Sequence, residues 1–93
     1  MNWIDTHTHL YLDQFKENID EVLERCDKNG VNKICLPAID ESSFAAMMAL
    51  AEKRPASIFP MIGLHPCSVK ENYLEELSFI ESQLESPDRF IAI

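Results

Sequence analysis

Two histidines one residue apart stand near the start of the chain, where residues 5–9 read DTHTH. They follow the short apolar segment 1–4, which is typical of the end of a β-strand. Because side chains alternate between the two faces of a strand, Asp5, His7 and His9 are predicted to share one face. Two imidazoles at this spacing can bind one ion of zinc, iron, nickel or copper, or of manganese where carboxylates join.

This histidine pair does not by itself make a catalytic metal site. Such a site usually takes about three or more protein ligands together with water, and His-x-His also arises by chance. The position of the pair favours a functional site, because Asp5 shares its face and the first predicted strand ends there. In α/β proteins, functional residues collect at the carboxyl ends of parallel strands.

The composition indicates a small globular domain with an excess of acidic groups. The 93 residues are 46% hydrophobic, which suffices for one modest core. The 16 acidic and 8 basic residues give a formal net charge of −8, which argues against nonspecific binding of nucleic acid through phosphate contacts. A metal enzyme that acts on phosphoesters is compatible with this charge, because the ion supplies local positive charge.

Neither a membrane protein nor a secreted protein is predicted. No apolar run approaches the roughly 20 residues of a membrane span, and the N-terminus lacks the regions of a signal peptide. Cys26, Cys35 and Cys67 are odd in number and far apart, so we expect reduced thiols in a cytoplasmic protein. Cys67 lies two residues after His65, but a small loop residue is favoured there over a Cys/His nucleophile pair.

Hydrophobic periodicity divides the rest of the chain into alternating helices and strands. Asn18 is predicted to begin the first helix, with Glu21 completing a capping box, and Gly30 to follow its end. Asp40 or Ser42 is predicted to cap the second helix. The predicted elements are a helix over 18–29, a strand over 33–36, a helix that ends before Pro55, a strand over 57–62, a helix over 72–85 and a strand over 90–93.

The third predicted helix carries an apolar stripe and an acidic face. Leucine or isoleucine recurs at helical spacing, at positions 74, 77, 80 and 84, and this stripe is predicted to face the core. The glutamates at positions 75, 76, 81 and 85 are predicted to face solvent rather than to form a catalytic carboxylate pair.

The element order β-α-β-α-β-α-β predicts an α/β fold of parallel strands with right-handed crossovers. Four strands and three helices make the N-terminal half of a TIM-like (β/α)₈ barrel, which needs about 250 residues. We therefore expect residues 1–93 to be a single incomplete domain, the front of something longer, able to self-associate through its open strand edges. Because His65 follows the third strand, parallel pairing would place it at the same edge as His7 and His9.

Two motifs together resemble the TatD family of metal-dependent hydrolases. DTHTHL at residues 5–10 ends the first predicted strand, and GLHPC at residues 63–67 follows the third. His-x-His alone also opens the amidohydrolase and PHP phosphoesterase families, whereas its combination with Gly-x-His-Pro about fifty-five residues later is more specific. The resemblance extends over the whole chain, including FIAI at residues 90–93.

The resemblance implies a TIM-like barrel with a divalent metal centre that hydrolyses the phosphodiesters of DNA or another phosphoester. His7 and His9 match the family's first metal ligands, and His65 matches a histidine near the site that touches substrate phosphate. Asp5 is expected to orient an imidazole by a hydrogen bond, and an ordinary strand-end cap is the alternative role for it.

The resemblance also implies that most of the metal ligands lie outside these residues. In the family, a Gly-Glu-x-Gly-Leu-Asp segment with a metal-binding Glu follows the fourth strand, and later strands supply two more histidines and an aspartate. The sequence ends at Ile93, before that glutamate. We therefore expect the ion, whether Mg²⁺, Mn²⁺ or Zn²⁺, to be held weakly by this chain and the chain alone to be inactive.

Two other hypotheses about function stay open on the residues alone. One is a half-barrel without catalysis that serves as an interaction module, which its open strand edges favour. The other is a PHP or amidohydrolase relative that acts on a different substrate.

Overall fold

Three parallel strands and three α-helices alternate along the chain, which confirms the predicted α/β class. The computed structural model describes all residues, 1–93. The strands are β1 (Trp3–Asp5), β2 (Val31–Pro37) and β3 (Ile58–Met61), the helices are α1 (Ile19–Lys28), α2 (Glu41–Lys53) and α3 (Tyr73–Gln83), and short 3₁₀ helices lie at Asp13–Phe15, Pro66–Ser68 and Pro87–Arg89.

The strands form one sheet in the order β1-β2-β3, and both pairings are parallel. Asp5 is paired with Ile34, and Ile34 in turn with Ile58. The central strand is the buried one, since Ile34, Cys35 and Leu36 are all buried, as expected for a parallel strand with neighbours on both sides. The carboxyl ends of all three strands therefore lie along one edge of the sheet.

The hydrophobic core lies between the sheet and helices α1 and α2. Leu23 of α1, Leu36 of β2 and Met47 of α2 are essentially inaccessible to solvent, and each such side chain stabilises the fold by about 1.5–3 kcal/mol. The core residues are Tyr11, Leu23, Ile34, Leu36, Met47, Leu50, Ala51 and Ile58. The packing of α1 and α2 on one side of the sheet fixes the strands whose ends carry the histidines.

The predicted fourth strand over 90–93 is reduced to a single parallel bridge between Met61 and Ala92. The N–H of Ile91 donates to the carbonyl of Pro60 at 2.9 Å, and the N–H of Ile62 donates to that of Ala92 at 3.1 Å. Pairing with β3 begins only at Ile91, because the chain up to Arg89 forms the 3₁₀ helix Pro87–Arg89. The position and direction of the segment beside β3 agree with the prediction, and the strand assignment was wrong.

Asp40 caps α2 as predicted, whereas the capping box at Asn18 was wrong. Asp40 is extended, and its carboxylate accepts the N–H of Ser43 at 3.1 Å. Asn18 begins α1 with ψ of 22° and without a side-chain cap, because its backbone does not adopt the β-region geometry that turns an N-cap side chain onto the helix. Gly30 follows α1 with φ of +76°, as the predicted left-handed end of the helix requires.

Helix α3 packs with a face that only partly matches the predicted one, since Ile80 and Leu84 of the apolar stripe are half-buried. Glu76 is buried, while Leu74 and Leu77 of the apolar stripe are 64% and 48% exposed. Phe79 shares the packed face and lies edge-on to Phe44 of α2, with ring centroids 5.0 Å apart. Glu76 faces inward because its carboxylate accepts a backbone hydrogen bond from α2, so the prediction that this glutamate is solvated was wrong.

None of the helices is both long enough and apolar enough to span a bilayer.

Candidate metal and substrate site at the carboxyl edge of the sheet

Three histidine rings meet at the carboxyl edge of the sheet. The ring centroid of His9 lies 5.2 Å from that of His7 and 6.1 Å from that of His65. Strand β1 ends at Asp5, so His7 and His9 lie in the loop directly after it and not on the strand itself. The two rings nevertheless come together, and His65 reaches them from the loop after β3. The convergence expected from the strand ends is therefore present, while the roles of the three histidines remain predictions.

Backbone hydrogen bonds to β2 and to the residues just after it hold both histidine loops in place. The N–H of Thr8 donates to the carbonyl of Cys35 in β2 at 3.3 Å. The N–H of His65 donates to the carbonyl of Ile39, just after β2, at 2.9 Å. Both loops are thus anchored to the same stretch of chain, which explains why residues far apart in sequence share one edge.

Tyr11 connects the His9 ring to the end of β2. The Nδ1 atom of His9 lies 3.0 Å from the hydroxyl oxygen of Tyr11, and that hydroxyl donates to the carbonyl of Pro37 at 2.6 Å. The His9 and Tyr11 rings stand nearly perpendicular, with centroids 5.8 Å apart. Tyr11 was not among the site residues predicted from the sequence. No sequence signal pointed to it, because it lies in the loop after β1 and its partner Pro37 is 26 residues away.

Partial burial lowers the pKa of His9 below its ordinary value of 6.5. The nearby imidazoles of His7 and His65 act in the same direction, because a second positive charge close by disfavours protonation, and the backbone carbonyl of Pro37 opposes them. This lowering favours the neutral form of the His9 ring, the form in which an imidazole nitrogen can bind a metal.

His65 has its Nδ1 atom occupied as a hydrogen-bond acceptor. The backbone N–H of Cys67 donates to it at 3.0 Å. A backbone N–H can only donate, so Nδ1 carries no hydrogen and the neutral ring carries it on Nε2. His65 therefore offers a donor at its free nitrogen. The contact with Cys67 is through its backbone, which favours the small-loop-residue interpretation over a Cys/His nucleophile pair.

The carboxylate of Asp5 contacts a backbone group and not an imidazole. One of its oxygens accepts the N–H of His7 at 3.1 Å, and Asp5 is exposed. This contact is the strand-end cap that the sequence left open as an alternative. Asp5 thus shapes the turn that carries His7, without a hydrogen bond to the ring itself.

The nitrogen donors at this edge suit a divalent transition metal in kind but not in number. His7 and His9 supply two imidazoles, and no group of three or more His, Cys, Asp or Glu side chains comes together to hold an ion. A catalytic site usually takes about three protein ligands. Beside the histidines is a cavity of about 220 Å³ that His7 and His65 both line, so a ligand can approach this edge.

Comparison with known proteins gives one consistent family. The family model described as TatD related DNase matches residues 4–93. An uncharacterized metal-dependent hydrolase of Haemophilus influenzae is 31% identical over 90 residues, which are 95% of this chain and 34% of that protein. The uncharacterized metal-dependent hydrolase YjjV of Escherichia coli is 32% identical over 92 residues, which are 98% of this chain and 35% of that protein.

A solved structure and a human relative agree with this family. The crystal structure of YjjV, a TatD homologue from Escherichia coli, superimposes with a TM-score of 0.76 at 31% identity, over 97% of this chain and 35% of the other. Human deoxyribonuclease TATDN3 is 35% identical over 63 residues, which are 68% of this chain and 23% of that protein. The likeness confirms the predicted fold class, and the chain spans about a third of the length of the curated relatives it matches most fully.

Proposed function

Because this chain belongs to the TatD related DNase family, we propose that it carries part of the metal site and part of the substrate site of a hydrolase that cleaves the phosphodiesters of DNA. The observation that carries the proposal is the meeting of His7, His9 and His65 at the carboxyl edge of a parallel sheet. The relatives named metal-dependent hydrolases or deoxyribonuclease support the reaction class. The family match also removes the reason to prefer a PHP or amidohydrolase relative.

His7 and His9 are the proposed metal-binding residues. Their rings are neighbours, and the lowered pKa of His9 favours its neutral form, which supports binding of a divalent ion through nitrogen. Mg²⁺, Mn²⁺ and Zn²⁺ are the proposed ions. Such an ion, when bound, supplies Lewis-acid chemistry at the scissile phosphate.

His65 is the proposed substrate-binding residue. Because its Nδ1 accepts the Cys67 N–H, its Nε2 presents a hydrogen that can be donated to a phosphate oxygen. Binding a metal through Nε2 would require moving that hydrogen to Nδ1 and breaking the contact with Cys67. The acidic net charge of −8 supports recognition through this local donor and the ion, since the chain as a whole repels DNA.

The reaction itself is proposed for a protein of the family's full length and not for these 93 residues alone. Two imidazoles hold an ion loosely. Loss of a single supporting partner of a metal site commonly lowers metal affinity or activity by about 10–100-fold. No carboxylate of this chain stands with the histidine pair to complete the set. We propose that the protein is cytoplasmic, because its three cysteines are free.

An interaction module without catalysis is the second proposed function, and exposed apolar residues favour it. Trp3 and Ile4 of β1 are 56% and 57% exposed, and Ile93 is 87% exposed. Apolar groups exposed on strand segments mark surfaces that pair with another chain.

The test is a nuclease assay on the 93-residue chain and on a protein of the family's full length that begins with these residues. Each is supplied with Mg²⁺, Mn²⁺ or Zn²⁺, beside a His7→Ala/His9→Ala variant. We expect metal-dependent cleavage of DNA by the longer protein, its loss in the variant, and none by the 93 residues. An inactive longer protein that binds partner chains would support the interaction module instead, and metal-dependent cleavage by the 93 residues would refute the ligand count.

A further inference from the structure

We propose that Tyr11 is a positioning residue: its hydroxyl holds the His9 ring in the tautomer with hydrogen on Nδ1, so that the lone pair of Nε2 is free for a ligand. The inference rests on the proposed function where it assigns a metal to His9. The tautomer itself follows from hydrogen bonds within this chain and can be tested without metal or activity.

Two hydrogen bonds share the single hydroxyl of Tyr11. Its oxygen lies 2.6 Å from the carbonyl oxygen of Pro37 and 3.0 Å from Nδ1 of His9. A carbonyl can only accept, so the one hydroxyl hydrogen is donated to Pro37. The hydroxyl oxygen can then only accept from His9, which places a hydrogen on Nδ1. In the neutral ring Nε2 is left without one, as metal binding through that atom requires.

The hydroxyl can fix the ring because it is itself fixed. Tyr11 is only 8% exposed and belongs to the hydrophobic core, together with Leu36 and Leu50. Pro37, its acceptor, is the last residue of the central strand. Tyr11 thus connects the His9 ring to the end of the central strand and to the hydrophobic core. A partner that donates or accepts at the second nitrogen of a ligating histidine sets both its tautomer and its orientation.

The other two histidines lack this arrangement. His65 has the opposite hydrogen-bond pattern, because its Nδ1 accepts from Cys67 and its Nε2 carries the hydrogen. His7 is exposed, and its ring makes no hydrogen bond to the protein. His9 is accordingly the one histidine of the three that is prepared in advance to give a lone pair at Nε2.

The decisive measurement is the tautomer of each histidine by long-range ¹H–¹⁵N NMR spectroscopy, at a pH where the rings are neutral. The spectra distinguish a protonated ring nitrogen from an unprotonated one. In the native protein we expect His9 with hydrogen on Nδ1 and His65 with hydrogen on Nε2. In Tyr11→Phe we expect His9 to shift towards the Nε2-protonated form that free imidazoles prefer, while His65 is unchanged. Tyr73→Phe, at an exposed position of α3, is the matched control.

A second readout is titration of the same samples with Zn²⁺, followed through the His9 resonances. We expect the apparent dissociation constant to rise by about 10–100-fold in Tyr11→Phe and to stay unchanged in Tyr73→Phe. A native His9 with hydrogen on Nε2, or a tautomer that Tyr11→Phe leaves unaltered, would overturn the proposal. The native spectrum decides even if the variant fails to fold. Failure of the nuclease assay would instead overturn the proposed function and leave the tautomer result standing.

Discussion

The buried carboxylate of Glu76 in α3 accepts a hydrogen bond from the backbone N–H of Glu41, the first residue of α2, at 2.9 Å. The first N–H groups of a helix have no partner within the helix, and the positive end of the helix dipole favours an anion there. Asp40 occupies the third of these donors through Ser43. Two carboxylates, one local and one from another helix, therefore share the start of α2, and one of them also docks α3.

Replacing Glu76 should show how much this docking contributes. We expect Glu76→Ala to lower the free energy of unfolding by about 1–3 kcal/mol, because a hydrogen bond to a charged group is lost and the Glu41 N–H is left without a partner. Glu76→Gln keeps an acceptor oxygen and should lower the free energy of unfolding by less than Glu76→Ala does. Urea denaturation measures both, with Glu75→Ala as the exposed control, expected within about 0.5 kcal/mol of the native protein. Equal effects at positions 75 and 76 would contradict the docking role.

Asp40 should make the stability of α2 depend on pH. Burial raises the pKa of Asp40, but hydrogen bonds from Ser42 and Ser43 and the positive charge of Lys70 outweigh it, so the pKa lies below the usual 3.8. A carboxyl whose folded pKa is lowered stabilises the fold above its unfolded pKa, and this contribution disappears as the pH falls through the folded pKa.

The comparison of native protein with Asp40→Ala tests this pH dependence. We expect the variant to be less stable by about 0.5–2 kcal/mol at neutral pH, and the difference to shrink in acid, below the usual aspartate pKa. Denaturation at about pH 7 and about pH 3 measures it. Ser42→Ala, which removes one of the hydrogen bonds to the same carboxylate, should show a smaller change of the same sign. A difference that is constant with pH would refute a role for the charge.

The sheet and the histidine edge could be predicted because local patterns determine them. Alternating helical and strand segments imply parallel pairing, and parallel pairing brings the ends of β1 and β3 to one edge. Glu76 and Tyr11 could not be predicted in the same way. Their partners, Glu41 and Pro37, are 35 and 26 residues away in the sequence. In addition, helical periodicity alone predicts that any glutamate lies on the surface.

The final segment shows a different limit of the sequence. Residues 90–93 have the apolar composition of a strand, and their place beside β3 agrees with it. They nevertheless form only one bridge, and the 3₁₀ helix Pro87–Arg89 directly before them delays pairing with β3 until Ile91. Strand propensity describes which side chains fit a sheet and does not settle which carbonyl each N–H will use.

Gly30 should be intolerant of any side chain. Its φ is +76°, and a Cβ built there would lie 2.2 Å from the backbone oxygen of Met1. We expect Gly30→Ala to destabilise the fold by about 1–2 kcal/mol from the left-handed conformation alone, with the steric clash adding to it. Gly63 is the control, since it has no positive φ and no atom within 4 Å of a built Cβ. Thermal unfolding compares the two, and a Gly63→Ala as damaging as Gly30→Ala would contradict this account.

Metal binding by the 93 residues should be weak and should depend on the histidine pair. Two imidazoles leave most coordination positions to water, so calorimetric titration with Zn²⁺ or Mn²⁺ should show a small, low-affinity signal. His7→Ala/His9→Ala should abolish it, whereas Cys67→Ser, which alters only an exposed thiol near His65, should not. An ion that stays bound in stoichiometric amount after dialysis against a chelator would sink this prediction, unless a second copy of the chain completes the ligands.

The 93-residue chain should self-associate through the strand segments that lack neighbours. Ile4 on the outer strand β1 and Ile93 beside β3 are 57% and 87% exposed, and unpaired strand edges promote pairing with another chain. Lysine at such an edge opposes pairing, so we expect Ile4→Lys to weaken association about tenfold or more, since burial of one isoleucine contributes about 1.5–3 kcal/mol. Leu74→Lys is the matched control, because Leu74 is 64% exposed on α3, away from the sheet. Sedimentation velocity over a range of concentrations measures the association. A native chain that stays monomeric at all concentrations would show that the strand edges are not the contact. Equal weakening of association by Ile4→Lys and Leu74→Lys would show the same.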